Sequence, residues 1–212
     1  MNLYNIHTHH PSGAPSALEI VNILIKEQPD ETDAPYRSYG IHPAYIYNVE
    51  EQLAQLRQQA TLPQTVAIGE AGLDKLVATD FTLQQQLFKT QALVAEQIGK
   101  PLIIHCVKAW QELSAIKKEI TPTQPWIIHG FRGKPELAEQ LIAQGFYLSF
   151  GSRFNPEALR KAWPDRLLAE TDEAETSIQA VYQQLADALS LPLETISFKL
   201  AENTTSIFCF LK

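Results

Sequence analysis

Pro101-Leu102-Ile103-Ile104-His105 is an apolar run closed by a histidine, and Trp126-Ile127-Ile128-His129-Gly130 repeats it. Other short apolar runs end in a histidine or a carboxylate: Asn5-Ile6-His7-Thr8-His9, Gly40-Ile41-His42-Pro43, Ile68-Gly69-Glu70-Ala71-Gly72-Leu73-Asp74 and Leu167-Leu168-Ala169-Glu170-Thr171-Asp172. The six histidines of the chain all belong to this set or, like His10, adjoin it. Independent surface histidines have no reason to follow apolar runs. Parallel strands in a (β/α) barrel do give such a pattern, because each strand delivers its C-terminal end to one catalytic face.

The segments between these runs read as helices. Asn48 with Glu51 forms a capping box ahead of Leu53, Leu56 and Ala60, and Thr82 with Gln85 opens the longest helix, which Gly99 stops. Further helices are expected near 108–119, over 135–144 behind Pro135, from Pro156, from Ser177 and over 193–208. Near-continuous apolar strands alternating with amphipathic helices specify a parallel sheet covered on its outside. Ser16 with Glu19 reads as another capping box, followed by an apolar helical stripe of Ile20, Val21, Leu24 and Ile25, and Pro29 to Pro35 reads as a polar loop. Gly72 and Asp74 predict a tight loop directly after Gly69-Glu70. The expected fold is α/β, a TIM-like barrel shortened to seven strands, with one βα unit lost between His9 and Tyr36. A single domain over residues 1–212 is expected, with no linker dividing it.

Composition narrows the function classes. A net charge of −7 argues against broad charge-driven binding of nucleic acid, which needs a basic footprint. No apolar run reaches the ~18 residues of a membrane span, and the N-terminus has neither the basic nor the apolar region of an export signal. Cys106 and Cys209 form no C-x-x-C pair or disulfide framework, so a reducing, cytoplasmic setting is expected.

His7 and His9 lie one residue apart, so on an extended strand both point to the same side, as two ligands to one metal must. With His105, His129, Glu70 and Asp172 they make a donor set sufficient for two divalent ions sharing a carboxylate. Mixed nitrogen and oxygen donors suit zinc, manganese or magnesium better than calcium. Glu170 either orients a ligand or faces the barrel wall, and Cys106, alternating with His105, reads as packing. Trp110, Trp126 and Trp163 read as packing residues as well. Lys75, Lys108, Arg132 and Arg153 follow strands and could take phosphate oxygens.

Taken in order, H-x-H, G-I-H-P, I-G-E-A-G-L-D, Gln84 with Phe88, P-L-I-I-H-C, I-I-H-G-F-R-G, G-F-Y-L-S-F-G, L-L-A-E-T-D and a terminal N-x-x-x-I-F resemble the TatD family of metal-dependent DNases, among the amidohydrolase-type barrels. The resemblance covers nearly the whole chain. It implies that His7, His9 and Asp172 bind one metal, that Glu70 bridges, that His105 and His129 bind the second, and that His42 contacts the substrate phosphate. The implied reaction is attack of metal-activated water on a phosphodiester, with Asp172 taking the proton. The chain departs from the family pattern at Asn5, where an acidic residue is usual, at Gly130 and Arg132 in the H-C-F-[ST]-G motif, and at Val107 and Lys108. It also lacks the family's Arg-Asn-Glu-Pro loop after E-T-D. Two further readings stand beside a DNase acting at DNA ends: a hydrolase of a small phosphoester or amide, and a barrel that binds metal or a partner without turnover.

Overall fold

The structure is a computed structural model that describes residues 2–27 and 32–208. Cys209 and part of the loop expected at Pro29 to Pro35 lie outside the described residues. Eight strands are hydrogen-bonded in chain order: β1 (Leu3–Thr8), β2 (Ala17–Leu24), β3 (Arg37–Gly40), β4 (Thr65–Asp74), β5 (Leu102–Val107), β6 (Trp126–Ile128), β7 (Tyr147–Phe150) and β8 (Leu167–Ala169). Helices α1 (Val49–Ala60), α2 (Phe81–Gln97), α3 (Trp110–Ile120), α4 (Pro135–Ala143) and α5 (Pro156–Ala162) follow β3 to β7 in turn, and α6 (Ile178–Leu189) and α7 (Leu193–Ile207) follow β8. This is the expected α/β, TIM-like (β/α) barrel topology.

The strand count corrects the expectation of seven. Residues 17–24, read from sequence as a helix, form β2, which pairs in parallel with β1 through Leu3 and Ala17, Tyr4 and Leu18, and Asn5 and Glu19. A short apolar run fits a helix stripe and a strand buried on both faces equally well, and here the β-branched Ile20, Val21 and Ile23 belong to the strand. Glu19 does not cap a helix; its carboxylate accepts from Ser12 N at 2.7 Å and from Asn5 Nδ2 at 3.3 Å. Among the described residues no helix stands between β1 and β3, so the chain is shortened by helices and keeps its strands.

Contacts group the chain into two compact units, Asn22–Trp126 and Met1–Val21 with Ile127–Lys212. In the first, β4 runs through the predicted loop and continues to Asp74. Gly69 makes this possible: it takes φ 130°, and a Cβ there would lie 2.3 Å from Ile103 O. The pairing of β4 with β5 shifts register between Ile68 and Ala71. Asp80 rather than Thr82 caps α2, accepting from Leu83 N at 2.8 Å. Two buried glutamines on α2 hold the strand ends. Gln91 accepts from Ile41 N at 2.7 Å and donates to Ile41 O at 3.0 Å, while Gln84 accepts from Asp74 N at 2.8 Å and donates to Asp74 O at 3.1 Å. Between them Phe88 packs edge-on against the buried Trp126, with ring centroids 5.4 Å apart.

The second unit uses the same device. Asn203 of α7 donates to Pro164 O at 2.7 Å and Leu167 O at 2.9 Å, anchoring the start of β8. Ile6, Leu148, Leu168, Val181 and Leu185 fill its core without exposure to solvent. The end of β1 is tied to the chain beyond β8, since His9 N donates to Asp172 O at 3.1 Å and Asp172 N to His7 O at 3.0 Å.

Candidate metal centre

His7, His9, His129 and Asp172 stand at or just past the C-terminal ends of β1, β6 and β8, whereas Glu70 and His105 lie within β4 and β5. His7 is fully buried on β1, and its Nε2 lies 3.5 Å from Asp172 Oδ1; His9 Nε2 lies 3.9 Å from the same oxygen. The rings of His7 and His9 meet edge to face at 5.3 Å, and that of His129 lies 4.4 Å from His7. Asp172 is set in the left-handed region at φ 56°, where its backbone bonds to β1 hold it. Asn5, which replaces the usual acidic residue, steadies this corner. Its Nδ2 donates to Thr171 Oγ1 at 2.8 Å and its Oδ1 accepts from Thr171 N at 3.0 Å, whereas a carboxylate could only accept.

Glu170, given two readings from sequence, stands beside His129. It is completely buried, its Oε1 accepts from Gly130 N at 2.6 Å, and the same oxygen stands 3.4 Å from His129 Nδ1. Its other oxygen, Oε2, is buried without a hydrogen bond. Thus His7, His9 and Asp172 form one donor group, and His129, Glu170 and Asp172 form a second that shares Asp172.

In the unit of residues 22–126 a further group forms from His42, Glu70 and His105. Glu70 Oε1 lies 2.8 Å from His105 Nδ1 and 3.5 Å from His42 Nε2, and the two rings stand 4.4 Å apart. His42 is therefore placed with candidate ligands, although the resemblance gave it to the substrate. Asp74, read from sequence only as a turn residue, closes the far side of His105, with Oδ2 3.2 Å from Nε2. Asn22 and Ser38, which no motif marked, line Glu70 from β2 and β3 through Asn22 hydrogen bonds. The one signal for Asn22 was a polar residue inside the apolar run 20–25.

The donor chemistry fits a divalent metal. In each group every residue offers a ligand atom within 4.8 Å of the others, and imidazole with carboxylate suits zinc, manganese or magnesium. Of the basic residues expected around the site, Lys75 is engaged elsewhere. Its Nζ pairs with Glu112 at 2.5 Å, lies 5.2 Å from the Phe81 ring centre and holds the Glu112 carboxyl below its ordinary pKa. Lys108, Arg132 and Arg153 are exposed, and no ion pair involves them among the described residues. Cys106 is a free thiol, and burial pushes its pKa up to about 12. Among the described residues no helix is long and apolar enough to cross a membrane.

Comparison with known proteins agrees with this chemistry. Residues 18–209 match the family described as TatD related DNase. An uncharacterised metal-dependent hydrolase, YabD of Bacillus subtilis (strain 168), is 30% identical over 205 residues, covering 86% of this chain and 80% of that protein. The 3'-5' ssDNA/RNA exonuclease TatD of Erwinia tasmaniensis is 33% identical over 161 residues, 70% of this chain and 61% of its own length. The crystal structure of YjjV, a TatD homologue from Escherichia coli K12, superposes with a TM-score of 0.81 over 97% of each chain at 22% identity, which establishes the shared fold. On the family match and these relatives, the chain belongs to the TatD-related DNase family and is a metal-dependent hydrolase.

Proposed function

We propose that the protein is a phosphodiesterase that uses two divalent ions, zinc, magnesium or manganese, to cleave nucleic acid at short or single-stranded ends. The observation that carries this reading is the pair of carboxylate-imidazole groups, His7 with His9 and Asp172, and His42 with Glu70 and His105, in a chain of this family. Metal ions bound by His7, His9, Glu70, His105, His129 and Asp172 would polarise a phosphoryl oxygen and make water acidic enough to attack it. The chain's own residues do the rest. Asp172, partly open to solvent, takes up the proton of the attacking water, and Glu70, nearly closed off, keeps His42 and His105 in place. Lys108, Arg132 and Arg153 hold the flanking phosphates. The Erwinia relative named as an ssDNA/RNA exonuclease supports single strands as the substrate class. We place the enzyme in the cytoplasm, where Cys106 remains a thiol.

A small phosphoester is the second reading, favoured by the capture of Lys75 by Glu112 and by the net charge of −7. The test is metal analysis of the purified protein, with turnover on short single strands, long duplex and a generic phosphodiester over a salt series. Cleavage of short strands with a log-log salt slope of roughly −0.7 to −1.4, reflecting one or two phosphate contacts, is expected. A steep slope with preference for long duplex would overturn the end-specific reading. Turnover of the generic ester without any on nucleic acid would select the second reading.

A further inference from the structure

Glu70 is held by a side chain outside the metal-binding groups. Asn22 on β2 is 2% exposed, and its amide hydrogen-bonds Ser38 and both the backbone and the carboxylate of Glu70. Its Oδ1 accepts from Ser38 Oγ at 3.1 Å and from the backbone N of Glu70 at 2.9 Å. A backbone N–H can only donate, so the amide oxygen must face it, and the NH2 group must turn toward the Glu70 carboxylate. There Nδ2 donates to Glu70 Oε2 at 3.4 Å. The carboxylate is thereby divided: Oε2 faces the amide of Asn22, and Oε1 faces His105 Nδ1 at 2.8 Å and His42 Nε2 at 3.5 Å. The backbone is equally constrained, because a Cβ at Gly40 would lie 2.4 Å from Glu70 O, so β3 and β4 approach too closely there for a side chain.

We infer that Asn22 is a positioning residue for the metal centre, fixing the Glu70 carboxylate so that Oε1 is presented with the imidazoles of His42 and His105. An unrestrained glutamate would lose rotamer freedom each time a metal bound. Donation to Oε2 meets that cost during folding. The inference concerns metal retention and does not depend on the substrate.

Two measurements test it. Zinc affinity is measured by chelator competition for the wild type and Asn22→Leu, which keeps the volume and removes the amide's bonds to Ser38 and Glu70. A loss of about 10–100-fold is expected. The second measurement is a thermal double-mutant cycle on metal-free protein with Asn22→Asp, Glu70→Gln and the double variant. Asp keeps the acceptor for Ser38 Oγ and Glu70 N but sets an oxygen against Oε2, and Gln at position 70 restores the hydrogen bond with donor and acceptor exchanged. The melting temperature of the double variant should exceed the sum of the single shifts by about 3 °C or more. A purely structural asparagine that serves only Ser38 and the Glu70 backbone would not produce this rescue. Zinc affinity in Asn22→Leu within twofold of the wild type, or additive shifts in the cycle, would overturn the inference. If Asn22→Leu does not fold, the cycle decides by itself.

Discussion

Changing Tyr182 to phenylalanine removes one oxygen from the core and should cost far more than one ordinary hydrogen bond. Tyr182 on α6 is fully buried, and its hydroxyl serves both backbone groups of Tyr4, accepting from N at 2.9 Å and donating to O at 3.1 Å. The need arises from strand geometry. Leu3 N donates to Ser16 O at the start of β2, so the groups of Tyr4, one residue on, turn to the opposite edge of β1. Phenylalanine would leave a buried N–H and a buried C=O without partners. At about 1–3 kcal/mol each, the loss is about 2–6 kcal/mol, or roughly 5–20 °C in melting temperature for a chain of this size. Burial raises the phenol's pKa, so the hydroxyl stays protonated and the difference from wild type should be flat between about pH 6 and 9. Circular dichroism melts in chelator would measure it, with zinc affinity as a control. The pairing of His9 with Asp172 holds the other end of β1, so that affinity should change by no more than a few fold. A drop below about 2 °C would refute the reasoning, since it would mean that Tyr4 finds other partners once the hydroxyl is gone.

Glu70→Gln should lose more metal and more turnover than His42→Asn, because Glu70 touches both imidazoles while His42 adds one donor; equal metal content in Glu70→Gln and wild type, by elemental analysis, would refute this. Glu170→Gln should weaken zinc binding by about tenfold, since the amide can still accept from Gly130 N but no longer presents a charge to His129. Chelator competition unchanged from wild type would show that Glu170 serves the turn alone. Burial works to raise the pKa of Glu96, but hydrogen bonds from Thr123 N, Gln124 N and Thr123 Oγ1 prevail and lower it from 4.5. Its contribution is therefore present above the unfolded value and lost as pH falls through the folded one. Melting curves of wild type and Glu96→Gln should differ at neutral pH and converge in acid, and a gap that persists in acid would refute the account.

Histidines closing apolar runs could be read without a fold, because a strand end and a metal donor each leave a local mark: a short apolar run, then an imidazole or carboxylate. Helices were legible for a similar reason. Asn48, Asn155 and Ser177 accept from their own helix N-termini, so the cap and the periodic face lie in one segment. Residues 17–24 were not legible, since six or eight apolar residues satisfy both a helix stripe and a doubly buried strand, and only pairing with β1 separates them. The continuation of β4 depended on how closely β5 approaches Gly69 and Gly72, a distance that no local pattern encodes. Lys75 was read as a phosphate binder because its position after a strand is local information, while its partner Glu112 lies on α3. Asn22, Gln91, Tyr182 and Glu170 escaped notice, or stayed ambiguous, on the same ground. A buried polar side chain acquires its role from whichever backbone group or ligand the fold brings within about 3 Å of it, and that neighbour is far away in the chain.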